Sequence, residues 1–233
     1  MKKKLTQEEF DKKIEAGETD FHYLDLNNLN LSRVKLNNIS FTECRFWGAN
    51  FKEAKLTNFT FNHVDLRSLD FSAAELDNVN FSSSNLSGVN FKWAELTDVR
   101  FYLTIAKDAN FERARLYEAD FYKGDLSKAN FYKVRSPLAR FAKMNGLKDA
   151  NFKEADLYGA NFTFSYLKDA NFEGARLVGS VFQRADVEGV NFKGATLNNS
   201  VFLFAENIDK AVFTDAKMGG AARAGGAFLP PRV

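Results

Sequence analysis

From Phe21 to Phe101 every fifth residue is Phe or Leu, except Ala106 just beyond, where the series first weakens. An amphipathic helix needs apolar residues at spacings of three and four, and a strand at two. A period of five is neither, and requires a backbone that turns a corner every five residues. Two residues before each of these centres stands a small or medium apolar residue, as at Ala49, Ala54, Ala74, Ala94, Ala109 and Ala119. The other three positions are mostly Asn, Asp, Lys, Glu and Ser. Two positions in five therefore point inward and three outward, and four such units close a square coil of about twenty residues. Coils of this kind stack at about 4.8 Å, so about ten of them make a rod about 48 Å long.

Reading every twentieth residue tests the square. One side gives Phe21, Phe41, Phe61, Phe81, Phe101, Phe121 and Phe141, and the side opposite gives Leu31, Phe51, Phe71, Phe91, Phe111 and Phe131. The two sides between are mainly Leu, as at Leu26, Leu66, Leu86 and Leu126, and at Leu36, Leu56, Leu76, Leu96 and Leu116. Identical side chains in register fill each layer alike, which suits stacked repeats. The phase slips by one residue within 142–146 and again within 203–207, then resumes, so both read as bulges rather than domain boundaries. Ala106 and Ser136 are weak centres, and Pro137 predicts local distortion because proline has no ladder donor. The residue before the centre forms a column of its own: Asn30, Asn50, Asp70, Asn90, Asn110, Asn130, Asn151, Asn171 and Asn191. Stacked Asn side chains bond along a rod and satisfy backbone groups at turns.

Outside the repeats the pattern changes. Thr6 and Glu9 form a capping box, Phe10 and Ile14 share a helical face, and Gly17 stops it. This predicts a short helix within residues 1–20 laid over the first coil, since an open end exposes core and strand edges. The repeats then occupy residues 21–218. Residues 219–233, GGAARAGGAFLPPRV, hold no repeat and read as a flexible tail.

Runs such as Ala109-Asn110-Phe111, Ala119-Asp120-Phe121, Ala129-Asn130-Phe131, Ala155-Asp156-Leu157 and Ala160-Asn161-Phe162 resemble the A(D/N)LXX unit of the pentapeptide-repeat family. The resemblance implies an all-β solenoid, a right-handed quadrilateral parallel β-helix. It also implies a partner class, because some members are dimers that imitate duplex DNA and bind gyrase or topoisomerase IV, protecting them from quinolones.

Little in the chain points to catalysis. Cys44 takes an inward position and reads as a buried small hydrophobe, with no His in register to activate it. His22 and His63 lie two coils apart, about 10 Å, too far to share a metal. No phosphate loop, HExxH or CxxC motif is present. No cofactor and no enzymatic activity are expected. The N-terminus has no apolar run of signal-peptide type and no segment is apolar for long enough to span a bilayer, so no membrane association and a cytoplasmic protein are expected. The net charge of +2 argues against a dedicated nucleic-acid binder and against a rod that imitates DNA. Glu75, Asp77, Glu95, Asp98 and Glu118 do form an acidic column, interrupted by Arg115, Arg135 and Arg176. The expectation is a protein-interaction or scaffold protein, with topoisomerase protection as the alternative. Its contact patch is placed at Tyr102, Leu103, Tyr122, Phe164, Val181, Val201, Leu203 and Phe204, the outward positions of the first side that break the polar pattern. Exposed apolar patches mark contact sites, and a homodimer through this C-terminal half is one use of it.

Overall fold

The computed structural model describes residues 2–223 and 226–227. The chain winds into a parallel β-solenoid with four walls, numbered here in chain order from the column of Phe21. Neighbouring coils pair in parallel register twenty residues apart, as in Leu56 with Leu76 and Leu76 with Leu96. Continuous strands occur on the first wall (Asp20–His22, Ser40–Thr42, Thr60–Asn62) and on the fourth, from Lys35–Asn37 to Arg115–Tyr117. Elsewhere each unit contributes a single bridge to its neighbour, as in Asn110 with Asn130.

One unit, residues 110–114, shows why the period is five. Phe111 N–H donates to Asn130 O in the next coil at 2.7 Å, and Asn110 N–H to Val89 O in the previous coil at 2.8 Å. Arg113 N–H donates to Tyr132 O at 2.9 Å, and Ala114 N–H closes the corner on Phe111 O at 3.0 Å. Only Glu112 N–H finds no backbone acceptor, and Asn110 Oδ1 takes it at 3.0 Å. All five amides are thus satisfied, as a buried or stacked backbone demands. The corner bond together with φ of 57° at Arg113 defines a type II turn, which needs the left-handed region at its third residue. That residue recurs in this conformation at Glu53, Asp98, Lys128 and Asp169, and is glycine at Gly88 and Gly174.

The Asn column has two jobs. Each Oδ1 holds the amide two residues on, and at Asn90, Asn110, Asn130, Asn151 and Asn191 the Nδ2 donates to the Oδ1 one coil below, as from Asn110 to Asn90 at 3.3 Å and from Asn130 to Asn110 at 3.2 Å. The same wiring explains Pro137. It stands where the amide never enters the ladder, so a missing donor costs nothing there. Ser136 N–H reaches Asp156 O at 2.8 Å and Leu138 N–H reaches Tyr158 O at 2.7 Å, and the distortion expected at this point does not occur. The two phase slips resolve to single residues. Asn145 is inserted between inward Met144 and bridging Gly146; Asn207, in the left-handed region, precedes the 3-10 turn Ile208–Lys210.

Inside, Phe rings stack along the first and third walls and meet edge-on across the rod. Phe121 lies 4.6 Å from Phe101 and 4.8 Å from Phe141, nearly coplanar with both, and perpendicular to Phe111 and Phe131 at 5.7 and 5.9 Å. Offset-stacked and edge-to-face pairs are the favoured aromatic geometries.

The helix, Gln7–Glu15, forms the expected capping box. Phe10 is buried and sits 5.3 Å from Phe21, so the helix closes the open end of the core. Gln7 Oε1 also accepts Asn30 N–H at 2.9 Å, ending the Asn column as another coil would. Ahead of the helix, Lys3–Lys4 pairs with Leu24–Asp25, an added strand with no sequence signal. At the other end Ala222–Arg223 pairs in parallel with Val201–Phe202, and Gly226–Ala227 folds back antiparallel on it. The ladder therefore runs on into the segment read as a tail without repeats.

Replacing Phe121 with Ala should cost about 3–5 kcal/mol, measured by chemical denaturation, because the void opens onto four fixed rings. A cost below about 1 kcal/mol would mean that the column is not the core. Asn110→Ala should cost about 1–2 kcal/mol by stranding Glu112 N–H. Asn110→Asp should cost less, since it keeps that acceptor and loses only the donation to Asn90.

Candidate interaction surface

The amides of each unit are used within the rod, so the outward side chains dominate what the walls present. The eight residues singled out on the first wall separate into two groups. In one, Tyr102 and Tyr122 stack at 5.8 Å, nearly parallel, beside exposed Leu103. In the other, Phe164 and Phe204 are exposed, with half-buried Val181, Val201 and Leu203 alongside. Side chains stacked one coil apart form these groups because residues twenty positions apart share a place on the wall.

The strip is not purely apolar, as the sequence pattern implied. Arg184 lies between Phe164 and Phe204, its guanidinium carbon 5.3 and 5.7 Å from the two rings. Lys123 and Lys143 reach over Tyr122 at 5.5 and 5.6 Å. Such cation–π contacts contribute about 0.5–1 kcal/mol each at exposed sites. The aromatic rings thus hold their cations in place while the charged groups stay in solvent.

Exposed apolar residues also occur off this wall, contrary to the expectation that the others are polar throughout. Trp47 is 75% exposed, and Trp93, Leu138, Tyr158 and Tyr166 are exposed as well. Trp47 stands beside a shallow depression of 720 Å³ on the second wall, where Ser68, Ser87 and Gly88 are too small to fill the surface between Trp47, Arg67 and Asp108. Sequence reasoning missed it because Trp47 sits at an outward position whose column is otherwise polar.

Some charges on the other walls are paired between coils. Glu75 binds Lys55 at 2.5 Å and Glu95 binds Arg115 at 2.9 Å, so two members of the acidic column are neutralised on the rod itself. On the third wall Arg33 pairs with Glu53, Lys92 with Glu112 and Lys153 with Glu173. On the second, Glu188 bridges Lys168 and Lys210, and both ammonium groups hold its carboxyl below the usual range.

Cys44 is buried, and its Sγ–H donates to Phe21 O at 3.3 Å. Ser84 and Thr104 make the same bond to Phe61 O and Phe81 O, so the position is a corner fastener that accepts a small donor. Burial pushes the Cys44 thiol up, the opposite of an activated nucleophile. Among the described residues no group of three or more His, Cys, Asp or Glu could hold a metal ion. Nor is any helix among them long and apolar enough to cross a membrane.

A four-walled parallel solenoid wound from five-residue units, with Asn or Asp before many of its Phe and Leu centres, defines a class of repeat protein. A model described as a pentapeptide repeat region matches residues 54–131, and one for pentapeptide repeats in eight copies matches residues 30–67 and 147–184. The chain belongs to the pentapeptide-repeat family. Among solved structures it is similar to HetL of the cyanobacterium Nostoc sp. strain PCC 7120, a protein involved in heterocyst differentiation regulation. That likeness has 25% identity over 95% of this chain and 98% of HetL, with a TM-score of 0.50. It is also similar to QnrB1, a plasmid-mediated fluoroquinolone resistance protein, at 17% identity over 88% of this chain and 94% of QnrB1, with a TM-score of 0.50; this second likeness is one of fold. The comparison with curated proteins gives no match.

Native protein should leave Cys44 unmodified by an aromatic disulfide reagent on a timescale of minutes, with stoichiometric reaction after denaturation. Fast labelling of the folded rod would place the thiol outside the core.

Proposed function

We propose that the chain is a non-enzymatic interaction protein, a rigid rod that contacts another protein through its first wall. The observation that carries this reading is the strip of exposed and half-buried aromatic and apolar side chains from Tyr102 to Phe204 on one wall. Rigid aromatic and Arg side chains are the usual anchors of protein contacts, since little entropy is lost when they are buried. The likeness to HetL, a regulatory protein, supports the reading.

Two finer alternatives bear on the partner. Protection of a topoisomerase by imitation of DNA requires a dominant acidic surface, whereas the acidic column is partly neutralised by Lys55 and Arg115. We expect no protection of gyrase supercoiling from a quinolone at micromolar protein; protection would install that alternative. A homodimer formed wall on wall would set Lys143 and Arg184 of one copy near the same cations of the other. We therefore expect a monomer by sedimentation at tens of micromolar, and a dimer lost on the double change Leu203→Asp and Phe204→Asp would reverse this.

The interaction reading itself is tested by placing a photoreactive benzoylphenylalanine at position 204 in cells that express the protein, with position 193 on the third wall as the control. Protein adducts from position 204 that are absent from position 193 are the expected result. No adducts from position 204, or equal adducts from both, would sink the reading.

A further inference from the structure

Between the coils of Phe101 and Phe202 the first wall differs from the others in its charge. Its outward cations are Arg100, Lys123, Arg140, Lys143 and Arg184, against one carboxylate, Asp120. Arg140 already sits 3.5 Å from Asp120. Lys123, Lys143 and Arg184 have aromatic neighbours but no ion pair among the described residues. Asp186 and Glu206 line the neighbouring depression with Arg184, yet neither forms an ion pair with it. On the third and fourth walls, by contrast, Arg33, Lys55, Lys92, Arg115, Lys133, Lys153 and Arg176 are matched to carboxylates one coil away, while Lys35, Lys52, Arg135, Lys193 and Lys217 form no ion pair among the described residues.

We propose that this half of the first wall is a docking surface for an acidic, aliphatic protein segment in extended conformation. This rests on the interaction reading above and names the chemistry of its partner. Charge complementarity selects the occupant: unpaired cations attract carboxylates, and such complementarity sets encounter rate and specificity. Arg184 is the anchor. Its guanidinium is held between Phe164 and Phe204, and a guanidinium presents a rigid fork that matches a carboxylate in a bidentate pair. Leu103 and Val181 supply apolar contacts among the cations, and Val201 and Leu203 extend them one coil beyond Arg184. The spacing fits as well. From the coil of Arg100 to that of Arg184 is four coil steps, about 19 Å, which an extended segment of about six residues spans.

The other occupants fit less well. Single-stranded nucleic acid binds to aromatic platforms with open ring faces. Here the inner faces are taken: Tyr102 and Tyr122 cover each other, Lys143 lies over Tyr122, and Arg184 fills the space between Phe164 and Phe204. The end of this chain, residues 228–233, carries Arg232 and no acidic residue, so it brings positive charge to a positive wall.

The test is fluorescence anisotropy with a fluorescein-labelled peptide of alternating Glu and Leu, about eight residues long, titrated with the full chain. Arg184→Glu and Lys143→Glu should each weaken binding by about tenfold or more, the loss of one charge-assisted contact. Arg184→Lys should weaken it less, and Lys193→Glu on the third wall should leave it unchanged. Equal affinity for wild type, Arg184→Glu and Lys143→Glu would overturn the proposal. So would tighter binding of a labelled oligothymidylate that depends on the same residues, or a tenfold rise in peptide affinity on deleting residues 228–233. Photoadducts from position 204 without peptide binding would remove only the acidic class of partner and leave the interaction reading intact. Failure of both would remove both.

Discussion

Each coil lies one strand spacing, about 4.8 Å, above the last, and the molecule is built from what can repeat at that distance. Aromatic rings can: Phe111, Phe131 and Phe152 follow one another at 4.8 and 4.6 Å. Carboxamides can, because an amide N–H of one reaches the carbonyl oxygen of the next. Opposite charges can, as in the pairs of Arg33 with Glu53 and Lys153 with Glu173. Like charges do not benefit from it, yet one column sets Lys35 beside Lys55, Glu75 beside Glu95 and Arg115 beside Arg135, and opposite charges meet only where such pairs change sign. The five-residue corner sets this distance by assigning three of its amides to neighbouring coils, one to the corner and one to the Asn or Asp side chain.

A stack built this way has no internal reason to stop, and its two ends show different solutions. At the N-terminal end the helix imitates a coil twice over, with Phe10 in place of a column ring and the Gln7 Oε1 in place of a backbone carbonyl. At the C-terminal end the chain adds Ala222–Arg223 to the first wall and turns back. Both devices limit the edge that an unprotected ladder would present to other chains.

The period of five made the core legible: each Phe and Leu column read from the sequence is buried, because inward position follows directly from phase. The corner conformation was not legible. Left-handed backbone is normally signalled by Gly or Asn, yet here Trp93, Arg113 and Leu103 adopt it, held by four walls of hydrogen bonds that override local preference. Pro137 misled for a related reason. A proline is harmful only where its amide is needed, and which of the five amides is dispensable appears only once the Asx bond is seen. The strand Lys3–Lys4 carries no periodic signal at all. On the surface, the apolar half of the contact strip was readable from the broken polar pattern. Arg184 between two rings was also there to be read, since Phe164, Arg184 and Phe204 stand twenty residues apart, but a charged member of the column makes no break in the polar pattern.

The pairing of charges bears on function through what remains unpaired. An ion pair on an exposed wall contributes about 0–1 kcal/mol, too little to account for its repetition on stability alone. Its larger effect is on recognition: a cation matched to a carboxylate on its own rod must lose that contact before it binds another. The third and fourth walls are in this sense partly occupied by themselves. The first wall between Arg100 and Arg184 holds its cations against aromatic rings instead, and a ring, unlike a carboxylate, keeps the side chain ordered without neutralising it. A surface of that kind loses little on meeting an acidic partner and gains full-strength charge contacts. On the proposed reading, regular coils supply the rigidity, and cations held by rings rather than by carboxylates supply the selectivity.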